Sequence, residues 1–532
     1  MLDRTRRWAI PVILTTFIAC TAFLVYATLN RSFSMDNLLH FTEIEQYVSK
    51  GIIPVAGASM SGLPARVPGA MNYYPLMAVY AMTHSFVSLR FLGMSLGLLF
   101  AVLFIAWLYR SMDKTMAAEA SGMILFNPYF LNGASDFWAS NIIFPAMALL
   151  IMALIRVGTT GAHSWHTACI IPLAAVMAQI HVATLFIVPP LVIIYLLRHY
   201  RAWQGAGRWR YMLIGVAGGF LLYLPYLIAE IGNGFANTRL MFAGNASHRS
   251  GMLLPQIYAF FIFPTNEITY FLGKGTKPLM DFYFRNNPLG MVQLAANIIT
   301  LAISFAGNIL AVFCLVPALK KHLRGYEAPV FLKEGLFLGY TGVAVVLVVF
   351  TALNLPKGVW HYFYALYPLA FFPVLLIFDF IRAKLPRIAV GFCIFIAVNA
   401  AIALSVYWRY VDIYQKPSNI SNSMALAKAV LDDSNGKKFF ILNSELEKYG
   451  SDSYISVFGI DPQYKAVARL FLRTNWNEVY DRSEDITYVV DNILYPFQPS
   501  FWKRIDGLVT VWSNSGVALY RSRGRIPYPI PK

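Results

Sequence analysis

The sequence predicts a mainly α-helical, polytopic membrane protein with about eleven transmembrane helices, followed by a small C-terminal α/β domain. Three observations carry this. Of 532 residues, 58% are hydrophobic and only 13% are charged, about half the charge of a soluble domain. Mean hydropathy is +0.55, and the apolar residues gather in runs close to the roughly 20 residues that cross a bilayer. After residue 408 those runs stop and charges return. The composition excludes a soluble enzyme and a disordered chain. The net charge of +17 is scattered between apolar runs rather than gathered on one soluble face, which argues against nucleic acid as a partner.

The predicted spans are 8–30, 87–109, 115–132, 137–155, 165–180, 182–197, 211–230, 291–318, 335–354, 361–380 and 388–408. The first follows Arg4, Arg6 and Arg7 and imitates a signal peptide, but its apolar run is too long for one. The fifth and sixth run together through Gln179-Ile180-His181 and read as a tight hairpin; the alternative is one long tilted helix. Charge favours the split. With a cytoplasmic N-terminus the inside loops carry Arg110 and Lys114; Arg156; Arg198, Arg201, Arg208 and Arg210; Lys320, Lys321, Arg324 and Lys333; and Arg382, Lys384 and Arg387, as the positive-inside rule requires. The four cysteines, Cys20, Cys169, Cys314 and Cys393, sit in apolar runs without CxxC spacing, so neither a disulfide framework nor a thiolate metal site is expected.

Three regions fall outside the spans, all on the outer side. Residues 31–86 begin with an amphipathic helix over Asp36–Lys50, where Leu38, Leu39, Phe41, Ile44 and Val48 recur at helical spacing. Gly51 and Pro54 end it, and a second short helix runs from Tyr74 to Ser85. Residues 231–290 contain an apolar segment, 252–263, expected to dip into the membrane interface. Residues 409–532 mix a helical pattern at Ser423–Leu431 with strand patterns at Lys438–Leu442, Ile486–Val490, Leu508–Trp512 and Val517–Tyr520. Domains are therefore expected at 1–408, a transmembrane domain, and 409–532, a soluble periplasmic α/β domain.

Ionisable residues avoid the middles of the spans, where a charge is costly and marks transport paths. The middles of spans eight to eleven offer only Asn297, Asn308, Asn399 and hydroxyls, which weighs against an ion-coupled transporter. The chemically capable side chains collect instead at one predicted depth: Asp36, His40, Glu43 and Glu45 after span one, Asp136 after span three, His181 at the hairpin tip, Glu230, Asn237 and Arg239 after span seven, and Lys357 and His361 before span ten. Such a site suits a substrate whose head lies at the lipid surface. Each residue also has an ordinary reading. Asp36 suits a helix start, Asp136 a solvated loop, and His181 a structural histidine. Glu43 and Glu45 suit a wet helix face, and Arg90 could snorkel to lipid phosphates.

The order of these motifs resembles the GT-C superfamily of integral-membrane glycosyltransferases, in particular bacterial relatives of the family-39 protein O-mannosyltransferase and aminoarabinose-transferase type. The likeness spans about residues 10–410. It rests on Ser34-Met35-Asp36-Asn37, Tyr73-Tyr74-Pro75-Leu76, Ser88-Leu89-Arg90-Phe91, Asn127-Pro128-Tyr129, Ser135-Asp136-Phe137-Trp138, Gln179-Ile180-His181, Leu224-Pro225-Tyr226-Leu227 through Glu230, Asn237-Thr238-Arg239 and His361-Tyr362. Many relatives pair two acids in the first loop; here Asn37 replaces the second. Trp360 replaces an acid before His361.

The resemblance implies an inverting transferase that takes one sugar from a polyprenyl-phosphate donor to an envelope glycan, lipid or protein at the periplasmic face of a bacterial inner membrane. By that analogy Asp36 is the general base and Asp136 orients a substrate. Arg90 and Arg239 hold the lipid phosphate, His181 and His361 bind sugar or phosphate, and His40, Glu230 and Lys357 complete the substrate site. Some relatives use a divalent metal; Asn37 favours no metal and no other cofactor here. The rival readings are a lipid-linked glycan polymerase or ligase and, outside enzymes, a lipid-linked sugar transporter or an envelope scaffold.

Overall fold

The computed structural model describes residues 2–31, 35–58, 65–136, 140–161, 165–203, 209–243, 260–267, 281–323, 325–352, 360–415, 439–443, 486–492, 508–513 and 517–522, with isolated positions 258, 425, 429, 432 and 433. By internal contacts the chain forms two compact units, residues 1–25 with 50–407, and 26–49 with 408–532.

The described helices are α1 (Leu2–Asn30), α2 (Met35–Lys50), α3 (Tyr73–Thr83), α4 (Phe86–Ser111), α5 (Lys114–Leu125), α6 (Pro128–Ser135), α7 (Ser140–Thr160), α8 (Trp165–Ile180), α9 (Val182–Arg198), α10 (Trp209–Gly232), α11 (Ala236–Ala243), α12 (Gly290–Leu315), α13 (Val330–Ala352), α14 (Phe372–Lys384) and α15 (Pro386–Tyr410). Among the described residues, eight helical stretches are long and apolar enough to cross a membrane.

The remaining three predicted spans differ instructively. Residues 115–132 are not one helix. α5 ends at Leu125, and α6 restarts at Pro128 with Asn127 as its N-cap. A residue before proline is pushed out of the helical region, and proline suits the first helical position, so Asn-Pro breaks the span. The fifth and sixth spans are the shorter helices α8 and α9, parted only by His181 in an extended conformation. They do reverse direction. A Cβ on Gly158, near the end of α7, would meet Tyr195 and His199 at the far end of α9, while α8 starts just beyond α7. The start of α8 and the end of α9 therefore share one end of the bundle, with His181 at the opposite tip. At that shared end His199 Nε2 lies 2.9 Å from Glu334 at the start of α13. Arg382 likewise binds Asp113 at 3.1 Å and Glu119 at 2.6 Å, tying the α4–α5 turn to the end of α14.

The segment 260–266 reaches deeper than the interface its sequence suggested. Ser304, near the midpoint of α12, donates to the carbonyl of Phe261. Phe260 packs by Gly339 and Tyr340, near the midpoint of α13. The rest of the predicted dipping segment, 252–257 and 259, lies outside the described residues.

In the second unit, Tyr26 stacks on Trp408 at 4.2 Å and donates to Asp412. α2 forms as its periodicity required, with Phe41 and Ile44 fully buried. All four expected strands appear, β1 (Phe439–Asn443), β2 (Ile486–Asn492), β3 (Leu508–Ser513) and β4 (Val517–Ser522), in one mixed sheet of order β1-β2-β4-β3. β1 and β2 run parallel; β4 runs antiparallel to both β2 and β3. Most of the expected helix at Ser423–Leu431 lies outside the described residues.

Candidate functional site

The first unit brings the predicted residues together in two clusters. One joins the head of α4 to the end of α6. Arg90, in the second turn of α4, is fully buried, and its Nη2 lies 3.9 Å from Asp136 Oδ1. Asp136 is itself 7% exposed and closes α6 by donating its backbone N–H to Asn132. The snorkelling reading of Arg90 is thus corrected: its guanidinium turns into the protein, toward the predicted second acid. Gly97 permits this, because a Cβ there would sit 2.6 Å from that of Ala134; any larger side chain would drive α6 off α4. Taking two charges out of water costs several kcal/mol each, so the pair is held by complementarity and not by solvent.

The other cluster joins the first loop to the α8–α9 tip and to the α10–α11 turn. Gly57 and Ala58 pair with Val67 through backbone hydrogen bonds of 2.8 and 2.9 Å. The Arg66 guanidinium Nε donates to Gly57 O. The Asn237 side-chain amide bonds both the N–H and the carbonyl of Arg66, at 2.7 and 2.9 Å, so a helix side chain does the work of a neighbouring strand. Glu230 accepts the backbone N–H groups of Asn237 and Thr238, at 3.3 and 2.9 Å, and the Thr238 hydroxyl. It caps the start of α11, where N–H groups lack helical partners and a negative charge is favoured. Beneath this lattice Ala65, Val67 and Met241 form a small core against Val182, Leu185 and Phe186.

Gly69, at φ +98°, lies against the Gln179 side chain, which donates to Leu222 O on α10. His181 N-caps α9, its Nδ1 accepting from the N–H of Ala183 at 3.1 Å. With Nδ1 accepting, the neutral ring carries its proton on Nε2 and presents a donor there. Arg239 is exposed on α11.

The other predicted residues are placed less fully. Asp36 and His40 lie on α2, in the second unit; His40 is half-buried, and the Asp36 side chain lies outside the described residues. Lys357 and the His361 side chain also lie outside them. Among the described residues, no three of His, Cys, Asp and Glu group as a metal-ligand set. Two participants escaped the sequence reading. Arg66 was signalled only as the one charge between Gly51 and Asn72. Asn127, quoted as part of a motif, is a hub whose reach depends on segments far off in the chain.

No protein-family model and no curated protein matches this sequence. Solved structures do. The crystal structure of ArnT from Cupriavidus metallidurans bound to undecaprenyl phosphate matches with a TM-score of 0.53 and 11% identity, over 96% of this chain and 97% of that one. The chain has the GT-C fold. Archaeal oligosaccharyltransferase AglB from Archaeoglobus fulgidus, in complex with an inhibitory peptide and a dolichol-phosphate, also matches, at a TM-score of 0.43 and 15% identity, over 91% of this chain and 69% of that one. Within this GT-C bundle the Arg90–Asp136 pair and the Glu230-capped α11 are features of this chain's own residues.

Proposed function

We propose that this GT-C protein is a glycosyltransferase that moves one sugar from a polyprenyl-phosphate donor to an envelope glycan, lipid or protein at the outer face of a bacterial inner membrane. The observation that carries the reading is the GT-C fold over nearly the whole chain combined with a buried arginine held at 3.9 Å from an acid at the end of α6. A guanidinium offers a rigid fork of donors to phosphate oxygens. Arg90 spends its charge on Asp136 at rest, so an arriving lipid phosphate can share it without a new charge being buried alone.

The chemistry follows. The Asp36 carboxylate takes the proton of the acceptor hydroxyl. The hydroxyl oxygen attacks the anomeric carbon from the face opposite the phosphate. The carbon–oxygen bond to phosphate breaks, and the electron pair leaves with the polyprenyl phosphate, whose charge Arg90 and Arg239 offset. Inversion at the anomeric carbon results. A carboxylate suits the base role because it takes the proton within hydrogen-bond reach. His181 donates from Nε2 to sugar or phosphate. His361, Lys357 and His40 complete the substrate site in this reading. Glu230 contributes indirectly, by capping the helix that carries Arg239. Asn37 gives a neutral amide beside Asp36, and these steps use side chains alone.

Comparative mass spectrometry of envelope glycans and glycolipids tests this in a deletion strain, the same strain with the native chain restored, and one restored with Asp36→Ala. One sugar should vanish in the deletion and in the Asp36→Ala strain. If Asp36→Ala restores it, the base assignment is wrong. If the deletion alters no glycan, the transporter or scaffold reading takes over.

A further inference from the structure

We infer that Asn127 is a positioning residue that holds α6 and the 360–371 segment, which lead to Asp136 and His361, in register with residues 260–267 from deep inside the bundle; the inference rests on the glycosyltransferase reading. Asn127 lies at the α5–α6 break. One turn further on, Phe130 packs on Phe100, midway along α4, so the break is far from either end of the bundle. Its side chain is 1% exposed and uses both ends of its amide. The carbonyl oxygen accepts the N–H groups of Tyr129 and Phe130, at 3.0 and 3.3 Å, and so caps α6. It also accepts the Tyr367 hydroxyl at 3.2 Å. The amide nitrogen donates to the carbonyls of Phe263 and Thr265, at 2.7 and 3.0 Å.

Two of the partner segments lead to proposed site residues. α6 ends in Asp136. Tyr367 belongs to the 360–371 segment that begins beside His361. Phe263 and Thr265 belong to residues 260–267. Irregular backbone at this depth persists only where the protein itself satisfies it. Asn127 does so for two strangers to its own helix, and no charge is needed. α6 is a stiff rod about 12 Å long at ~1.5 Å per residue, and every residue of it is buried. A shift at its capped start is therefore delivered to Asp136 at its end.

The substitutions separate the two ends of the amide. Asn127→Ser keeps a capping oxygen for α6 but cannot reach Phe263 and Thr265. Asn127→Asp keeps the cap and the Tyr367 bond but presents oxygen to both carbonyls. When protonated it regains one donor. The full-length variants in nanodiscs are to be compared by hydrogen exchange over 260–267 and 128–136, and by transfer kinetics. Asn127→Ser should raise exchange of 263–267 at least tenfold and lower kcat at least tenfold, with KM for the lipid donor within threefold of wild type. Asn127→Asp should regain activity as pH falls, an acid limb absent from the wild-type profile. Tyr367→Phe, which removes one bond and no packing, should give a smaller kcat loss; it carries the test if the Asn127 variants do not fold. Unchanged exchange with unchanged kcat overturns the inference. Loosened exchange with wild-type kcat overturns positioning. If the wild-type protein transfers no sugar, the glycosyltransferase reading fails, and the exchange arm alone then decides whether the latch exists.

Discussion

Two buried polar regions of the bundle solve the same problem in opposite ways. Between the start of α4 and the end of α6, Arg90 and Asp136 form a charged pair with 0% and 7% exposure. Around α12 and the 260–267 segment the described buried polar side chains are amides and hydroxyls. Asn266 donates to Asn399 Oδ1, Gln293 to the Asn266 carbonyl and to Asn297, Asn297 to Tyr283, and Asn127 to Phe263 and Thr265. The difference teaches where charge is tolerated. An amide donates and accepts at once and satisfies stray backbone without needing a counter-ion. A buried charge is kept where an opposite charge meets it, as at Arg90–Asp136, Arg382–Glu119 and His199–Glu334. The three asparagines the sequence placed in the last spans are accordingly structural: Asn308 bonds Tyr340 and the Ser304 carbonyl, and Asn297 and Asn399 join the central network.

The largest expected effect falls on the charged pair. Arg90→Met removes the guanidinium 3.9 Å from the buried Asp136 carboxylate and should cost about 3–5 kcal/mol, read as a large fall in thermal stability in detergent. Arg90→Met with Asp136→Leu should recover most of that stability and still transfer no sugar. A double variant with wild-type transfer would make the pair purely structural and erase the contrast.

The neutral network should answer more mildly. Gln293→Leu removes the bonds to Asn266 and Asn297 and should cost about 1–3 kcal/mol through the partners it strands. A loss as large as that of Arg90→Met would show that amides at this depth matter as much as charge. Gly69→Ala should cost about 1–2 kcal/mol from its left-handed backbone, plus displacement of Gln179, and should loosen the first loop; wild-type stability would mean that this contact is not held in the membrane. Glu230→Gln should cost around 1 kcal/mol, the value of one cap. If it abolishes transfer while stability is unchanged, Glu230 belongs to the chemistry and not to the α11 cap. The smallest effect lies in the second unit. The partly exposed Arg521–Asp433 pair, at 2.8 Å, should yield under 1 kcal/mol on Asp433→Asn.

Much was legible from the chain alone, for local reasons. Hydropathy marked the long helices, and strand-like runs marked all four strands. Loop charge argued for splitting the fifth and sixth spans, and the Gly158 contact with Tyr195 and His199 shows the reversal. The GT-C resemblance rested on motif order and agrees with the fold match. What failed was depth and continuity. The Asn127-Pro128 break hid inside an apolar run that a hydropathy reading takes as one span, and 260–266 looked interfacial because its apolar stretch is short.

Partners separated by over a hundred residues are fixed by packing, and no local pattern encodes them. Snorkelling stayed open as an ordinary reading of Arg90 until α6 was seen beside it. That Glu230 caps the start of α11 was not legible in the sequence. Sequence determined which segments are long and apolar enough to cross a membrane and which strands form the sheet, because burial and backbone propensity act locally. Tertiary structure alone decided that Arg90 meets Asp136, that Asn237 braces Arg66 and that Asn127 ties three segments, because a hydrogen bond or an ion pair depends on ångström-scale placement that only the packed bundle supplies.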